Sequence, residues 1–418
     1  MIEIYGPAEI GGEIKVQGAK NSTLPLLAAA VICKGQTVLH NCPKLSDVET
    51  AVRILEHLGC KCKREGADLI VDNKMTCCEI PVDLMQGMRS SIVFLGALVS
   101  RCGEANLYFP GGCEIGLRPI DLHISSLRKL GVTIEEAGGC LKCSAPKGII
   151  GSYVALSFPS VGATENLMLA AVCSRGTTII ANAAREPEIS DLANYLNRCG
   201  GKIFGAGESC VIIEGVEELY GCEHTIMPDR IAAVTYMAAA AVSGGDLVLR
   251  NVDNTHIMPM LSPFEESGCF IRQYGTSLNI MAPRKLNAVK HIRTMPYPGF
   301  PTDAQPVVMP MAAVGNGTSI FVENIFENRY KYVEELNHMG ANIKVEGKVA
   351  VAEGVGKLYG APVNAWDLRG GAALVVAGLC AEGKTTVKGE DFINRGYDDI
   401  SGALSSIGVK IKDISKQQ

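Results

Sequence analysis

Leu24-Pro25-Leu26-Leu27-Ala28-Ala29-Ala30-Val31-Ile32-Cys33-Lys34-Gly35-Gln36-Thr37-Val38-Leu39-His40 begins with a run that is apolar on nearly every side, passes through a glycine and ends in a β-branched stretch. A helix without a polar face is buried on most sides. Leu24 to Cys33 therefore predicts an interior helix, and Thr37 to His40 the strand after it. Beyond a loop, Ser46 and Glu49 have the spacing of a capping box for a second helix, whose Val48, Val52, Leu55 and Leu58 fall on one face. Leu58-Gly59 closes that helix. Cys60 to Lys63 and Asp68 to Val71 then read as two strands about a turn at Gly66.

This unit of helix, strand, helix, strand, strand returns five more times. The helix-closing mark recurs at Leu58-Gly59, Leu130-Gly131, Cys199-Gly200, Ser267-Gly268, Met339-Gly340 and Ile407-Gly408, with glycines 72, 69, 68, 72 and 68 residues apart. A second mark, a glycine between the buried helix and its strand, recurs at Gly35, Gly103, Gly176, Gly245, Gly317 and Gly383. It precedes its partner by 24, 28, 24, 23, 23 and 25 residues, so both marks keep one register. Stacked solenoids repeat at about 20–50 residues, whereas a unit of about 70 is a subdomain. Six such units divide into two groups of three, with the active site expected in the cleft between the groups. The class is α/β.

The longest interval, 28 residues, lies in the second copy, around Pro110-Gly111-Gly112-Cys113-Glu114-Ile115-Gly116-Leu117-Arg118-Pro119. An insertion in one copy of a repeated unit marks function. Most cysteines of a chain are small buried hydrophobes, and Cys33, Cys173, Cys199 and Cys380 stand in such runs. Cys113 has no apolar neighbour on either side and lies close to Arg118, a setting that lowers a thiol pKa.

Composition narrows the class further. A net charge of −5, a pI near 5.9 and no run of Lys and Arg argue against a nucleic-acid partner. The apolar runs fall short of the roughly 20 residues that span a bilayer. Sixteen cysteines with no basic, apolar leader predict reduced thiols and a cytoplasmic protein. The lone C-x-x-C, Cys140 and Cys143, has no second pair at zinc spacing, so no metal site is expected.

The unusual polar residues cluster at two places in the unit. At the start of the buried helix stand Lys20-Asn21, Arg89, Ser160-Val161-Gly162, Asp229-Arg230, Thr302-Asp303 and Asp367-Leu368-Arg369. In the loop before the amphipathic helix stand Cys113 with Arg118, Arg185 with Glu188, Arg329, and Arg395. Helix N-termini carry unpaired N–H groups and positive potential, so the expected ligand is anionic. Capping is the ordinary role for Ser160, Asp229, Asp303 and Asp367. Lys20 and Arg369 do not fit that role, because a cation at a helix N-terminus needs an anion beside it. Asp303 follows Pro298-Gly299-Phe300-Pro301-Thr302, a rigid approach suited to a general base.

Gly18-Ala19-Lys20-Asn21, Pro110-Gly111-Gly112-Cys113, Arg118-Pro119 with Asp121 and His123, Ala184-Arg185-Glu186-Pro187-Glu188, Phe300-Pro301-Thr302-Asp303, Phe326-Glu327-Asn328-Arg329, Asp367-Leu368-Arg369 and Arg395-Gly396-Tyr397 together resemble the UDP-N-acetylglucosamine enolpyruvyl transferases, in order from Ile4 to about Ile411. The resemblance implies an inside-out α/β barrel of six repeats in two domains. The chain would cross near Lys20 and Pro228, giving one domain at 20–227 that carries the Cys113 loop and another at 1–19 with 228–418. The implied substrates are phosphoenolpyruvate and UDP-N-acetylglucosamine, with no metal or organic cofactor.

By the same resemblance Cys113 is the acid and the site of fosfomycin attack, and Asp303 takes the proton of the sugar hydroxyl. Lys20, Arg118 and Arg395 lie near the phosphate, and Arg329, Asp367 and Arg369 complete that group. Asn21, Arg89, Pro119, Ile120, Asp121, Leu122, His123, Ser160, Val161, Gly162 and Ile325 match positions lining the nucleotide sugar or the closed cleft. Closure by the Cys113 loop is expected once the sugar binds. Two departures stand out: Phe158, where some members carry a lysine, and Pro306 with Pro310, which predict a kinked start to the helix after Asp303. Within this fold the shikimate-pathway transferase and a non-catalytic UDP-sugar-binding regulator are the alternatives.

Overall fold

The structure, a computed structural model, describes residues 1–111 and 120–414. Each repeat contributes one interior helix: Lys20–Ala30, Phe94–Cys102, Val161–Ala171, Arg230–Ser243, Gln305–Val314 and Leu368–Cys380. The first stops at Ala30, and Val31 to Cys33 leave it in a turn before the strand Gly35–His40. In the second repeat a 3-10 turn, Arg89–Val93, precedes the α-helix, so Arg89 stands one turn ahead of it.

In the first five repeats the strand after the interior helix pairs antiparallel with the last strand of its unit, which pairs in turn with the one before it. In the first repeat Gly35–His40 lies on Asp68–Asn73, and that strand on Lys61–Glu65. On the other flank runs a short parallel strand absent from the sequence-based unit, such as Glu79–Ile80, Tyr153–Ala155 and His291–Arg293. Two or three residues carry no alternation to read. Pairing with a neighbour, rather than propensity, makes them strands.

Contacts divide the chain into two compact units, residues 18–227 and residues 1–17 with 228–414, leaving aside 112–119. Each has its own apolar core. In the first, the helices Lys20–Ala30, Phe94–Cys102 and Val161–Ala171 pack on one another; in the second, Arg230–Ser243, Gln305–Val314 and Leu368–Cys380 do so.

Three strands come from a distant part of the chain. Glu223–Thr225 runs parallel to Gly35–His40 and completes the first repeat. Gly11–Lys15 runs parallel to Asp246–Arg250 and completes the fourth. Ile2–Gly6 lies between Ala381–Lys388 and Lys410–Asp413 in the sixth.

Several details depart from the sequence-based reading. The capping box does not form: Ser46 is the first residue of its helix, Leu45 holds the cap position, and Glu49 accepts a hydrogen bond from Arg64 at 2.9 Å instead. Val48, Val52, Leu55 and Leu58 are buried as expected. All six helix-closing glycines take positive φ, from +86° to +106°. The upstream mark shifts once, where Gly244 rather than Gly245 turns left-handed; a Cβ on Gly245 would lie 2.7 Å from the Ile10 carbonyl oxygen. Pro306 falls in the first turn of Gln305–Val314, where no intrahelical N–H bond is made, so it starts the helix rather than interrupting it, whereas Pro310 does lie inside the helix, where its missing N–H leaves one carbonyl without its intrahelical donor. Among the described residues no helix is long and apolar enough to cross a membrane.

Candidate functional site

The predicted residues fall into two groups, one in each unit, while Cys113, Arg118 and Pro119 lie outside the described residues.

In the unit 18–227, Lys20 opens the first interior helix with no side-chain cap beneath it. The anion its position demands is Asp47, whose Oδ2 lies 2.6 Å from the Lys20 Nζ, both side chains being buried. Asp47 reads in sequence as an ordinary first-turn acid and was missed for that reason. Asn21 follows Lys20, half-buried.

His123 lies in the first turn of the helix Asp121–Lys129, behind Ile120 at the cap position and beside Asp121 and Leu122. Its Nδ1 stands 2.7 Å from the Asn166 Nδ2. Asn166 is fixed from both ends: its Nδ2 donates to the Ile92 carbonyl at 2.9 Å, and its Oδ1 accepts from the Gly96 N–H at 2.7 Å. The amide therefore donates to Nδ1 and leaves the proton on Nε2. Burial, with the charge of Arg89 adding to it and Asp121 opposing it, lowers the His123 pKa to about 4. The ring lies across the start of the third interior helix, where a Cβ on Gly162 would come within 3.0 Å of its Cε1. Ser160 caps that helix by accepting from the Ala163 N–H at 3.3 Å, and Val161 begins it.

Two more acids of this unit stand close to Glu165. Burial, then Glu188 and Glu186, raise the Glu165 pKa well above the usual carboxylate range. Arg185 donates from Nε to the Gly207 carbonyl at 3.2 Å.

In the other unit, Asp229 and Asp367 cap their helices, Asp367 by accepting from the Arg369 and Gly370 N–H groups at 2.9 and 3.0 Å. Asp303 does not cap. Ala304 holds that position, and the Asp303 carboxylate meets the Arg329 Nη2 at 2.8 Å and the Arg369 Nη2 at 3.4 Å. Both arginine side chains are 2% exposed, whereas the Asp303 side chain is 27% exposed.

Arg329 is anchored by donating from Nε and Nη2 to the Thr302 carbonyl at 3.3 and 3.1 Å. Arg369 donates from Nη1 to the Tyr397 hydroxyl at 3.2 Å. Burial opposes the Arg369 charge, but Tyr397, Asp303 and Asp229 outweigh it and raise its pKa further. Beneath this group Glu323 ties the loop, accepting from the Thr302 and Thr294 hydroxyls at 3.0 and 2.9 Å and from the Ile325 and Phe326 N–H groups at 2.8 and 3.1 Å. Arg395 follows the helix Glu390–Ile393. The Gln17 amide brackets the next residues, donating to the Gly396 carbonyl at 3.0 Å and accepting from the Asp398 N–H at 2.8 Å.

Asp303, Arg329, Asp367 and Arg369 are thus brought together. Glu323, Asn166 and Asp47 were not legible, since each acts through a partner distant in sequence. Chemically, a carboxylate matched by two buried guanidinium groups is a preset acceptor for a proton beside an anion.

Six α/β repeats, each with one interior helix and gathered into two units of three, define a protein of the inside-out α/β-barrel class. The family described as EPSP synthase (3-phosphoshikimate 1-carboxyvinyltransferase) matches residues 4–404, and the chain belongs to it. A relative from Caldanaerobacter subterraneus subsp. tengcongensis, named UDP-N-acetylglucosamine 1-carboxyvinyltransferase 2, is 50% identical over 98% of both chains. One from Symbiobacterium thermophilum, named UDP-N-acetylglucosamine 1-carboxyvinyltransferase 1, is 46% identical over 98% of this chain and 94% of its own. Among solved structures, the enolpyruvyl transferase NikO from Streptomyces tendae superposes with a TM-score of 0.88 at 24% identity, covering 98% of each chain. EPSP synthase from Acinetobacter baumannii does so with 0.75 at 16% identity over 99% of each, which bears on the fold alone.

Proposed function

We propose that this protein transfers the enolpyruvyl group of phosphoenolpyruvate to the 3′-hydroxyl of UDP-N-acetylglucosamine, releasing phosphate, as the committing step of peptidoglycan synthesis in the cytoplasm. The observation that carries the reading is Asp303, which, unlike Asp229 and Asp367 at the corresponding helix starts, forgoes capping to sit on two buried arginines. The relatives' names supply the acceptor.

The sugar oxygen bonds to C2 of phosphoenolpyruvate while C3 gains a proton, giving a tetrahedral intermediate. C3 then loses a proton, the C2–O bond to phosphate breaks, and phosphate leaves. Asp303 accepts the hydroxyl proton, and Cys113 delivers the proton to C3. Lys20, Arg118 and Arg395 hold the phosphate, and Arg329 and Arg369 fix Asp303. Asn21, Arg89, Pro119, Ile120, Asp121, Leu122, His123, Ser160, Val161, Gly162 and Ile325 line the nucleotide-sugar subsite. Fosfomycin alkylates Cys113, and no metal or organic cofactor takes part.

The test is phosphate release with UDP-N-acetylglucosamine or, separately, shikimate 3-phosphate as acceptor. Release with the nucleotide sugar alone, reduced about 10²–10⁴-fold in Asp303→Asn, is expected for loss of a general base. The amide keeps the shape but removes the charge that both buried arginines face, so the melting temperature is read alongside: activity lost with the melt unchanged reports chemistry, and activity lost with a lowered melt reports unfolding. Release with shikimate 3-phosphate alone would overturn the acceptor. Fosfomycin adds its mass to the wild type and leaves Cys113→Ser unchanged; labelling that persists in the variant would place the reactive thiol elsewhere.

A further inference from the structure

The six repeats act as controls for one another on their outward sheet faces. Three residues after each upstream glycine mark stands a strand position, and the register carries it across its sheet as a row. In the first repeat the row is Glu223, Val38, Ile70 and Lys63. In the second it is Glu79, Asn106, Lys142 and Glu135. The fourth runs from Glu13 to Arg272, the fifth from His291 to Lys344 and the sixth from Pro362 to Lys412. Each of these five rows ends in at least one charged group, the usual device that keeps an exposed sheet from associating.

The third row is different. It reads Tyr153, Ile179, Ile212, Phe204, with no charge at either end. Tyr153 is 63% exposed, Phe204 54% and Ile212 38%. Of the two adjoining rows on the same face, Ala155, Ala181 and Cys210 are also free of charge, while Thr177, Glu214 and Lys202 form a charged margin on the other side. An apolar row at a position where five sister copies end in charge is a contact surface rather than a scatter of surface residues.

We propose that this face, the outward side of the sheet formed by Tyr153–Ala155, Thr177–Ala181, Cys210–Glu214 and Lys202–Phe204, binds the same face of a second copy of the chain. The row is palindromic: aromatic, isoleucine, isoleucine, aromatic. A two-fold axis parallel to the strands sets Tyr153 over Phe204 of the other copy at both ends and Ile179 over Ile212 in the middle. That self-complementarity is what an isologous interface requires. One such patch per chain closes a dimer and leaves nothing to polymerise. The area covered is about 400–500 Å² on each copy, at the low end for a specific interface, so the dimer is weak.

Sedimentation of the full chain up to roughly 500 µM, a range suited to a weak interface, tests the proposal with two variants. The wild type is expected to show a monomer–dimer equilibrium. Tyr153→Lys with Phe204→Lys opposes like charges at both ends and lowers the association constant at least about tenfold, a loss of roughly 1.4 kcal/mol. Tyr153→Glu with Phe204→Lys opposes unlike charges at the same places and associates more strongly than the double lysine variant. Both variants keep the wild-type melting temperature and phosphate-releasing activity. A wild type that stays monomeric, or a double lysine variant that dimerises undiminished, overturns the proposal. So does binding of this face to anionic phospholipid vesicles in place of self-association.

Discussion

Asp303 and its three counterparts at Ser160, Asp229 and Asp367 show how short polar residues at one place in the repeat take two roles. Three of them accept from helix N–H groups. Asp303 stands one residue too early to do so and turns to Arg329 and Arg369. His123 shows the same dependence on surroundings, since it is neutral because it is buried beside Arg89 and accepts from Asn166. Its lowered pKa has a defined sign in stability. Above the unfolded value of 6.5 both states are neutral and nothing is lost. As pH falls from there toward about 4 the unfolded chain gains a proton that the folded chain refuses, destabilising it by up to about 3 kcal/mol. The His123 Cε1 proton resonance should titrate near pH 4, and His123→Asn should lose less stability than wild type between pH 7 and 4.5. Glu165 has the opposite sign: its raised pKa gives stability present below 4.5 and lost as pH rises, so Glu165→Gln should raise the melting temperature at pH 8 more than at pH 5.

At the scale of elements, what was legible was what repeats. The interior helices announce themselves because an all-apolar run has no exposed alternative, and the closing glycines because all six adopt positive φ. Ser46 and Glu49 misled because a capping box is a local pattern, and a nearby Arg64 competed for the glutamate. The short parallel strands were invisible because their identity lies in their neighbours. The same distinction separates glycines that look alike in sequence. Gly131, at φ +86°, has open space where a Cβ would go, so Gly131→Ala should cost only the backbone term, about 1–2 kcal/mol. Gly59, at φ +100°, would set its Cβ 2.7 Å from the Thr76 Oγ1, 3.0 Å from the Thr76 nitrogen and 3.1 Å from the Lys74 oxygen. Gly59→Ala should therefore cost clearly more, and paired urea melts of the two variants measure the difference. Equal losses would mean that the 74–76 segment yields without resistance.

For the molecule as a whole, order along the chain and membership of a repeat part company at the N-terminus. The sixth repeat supplies the strands Ala381–Lys388 and Lys410–Asp413, yet the strand that joins them is Ile2–Gly6, antiparallel to both. Ile2 and Ile4 are buried, with Ile4 in the core of that unit and a methyl of its side chain within reach of Gly378 on the interior helix. The N–H of Ala8, two residues beyond the strand, donates to the Leu379 carbonyl at 2.7 Å. Removing residues 1–6 would leave two strands with unpaired inner edges and open the core at two isoleucines, each worth about 2–5 kcal/mol when truncated even to alanine. A loss of that size approaches the whole stability of an ordinary domain. The effect should be confined by the separate cores: amides of Ala381–Lys388 should lose protection from hydrogen exchange, while those of Gly35–His40 and Asp68–Asn73, in the other unit, keep theirs. Adding the hexapeptide Met1 to Gly6 back in excess should restore part of the lost protection, because the strand pairs with a partner on each side and its binding draws both back into the sheet. Protection lost equally in both units would show instead that the two cores unfold as one.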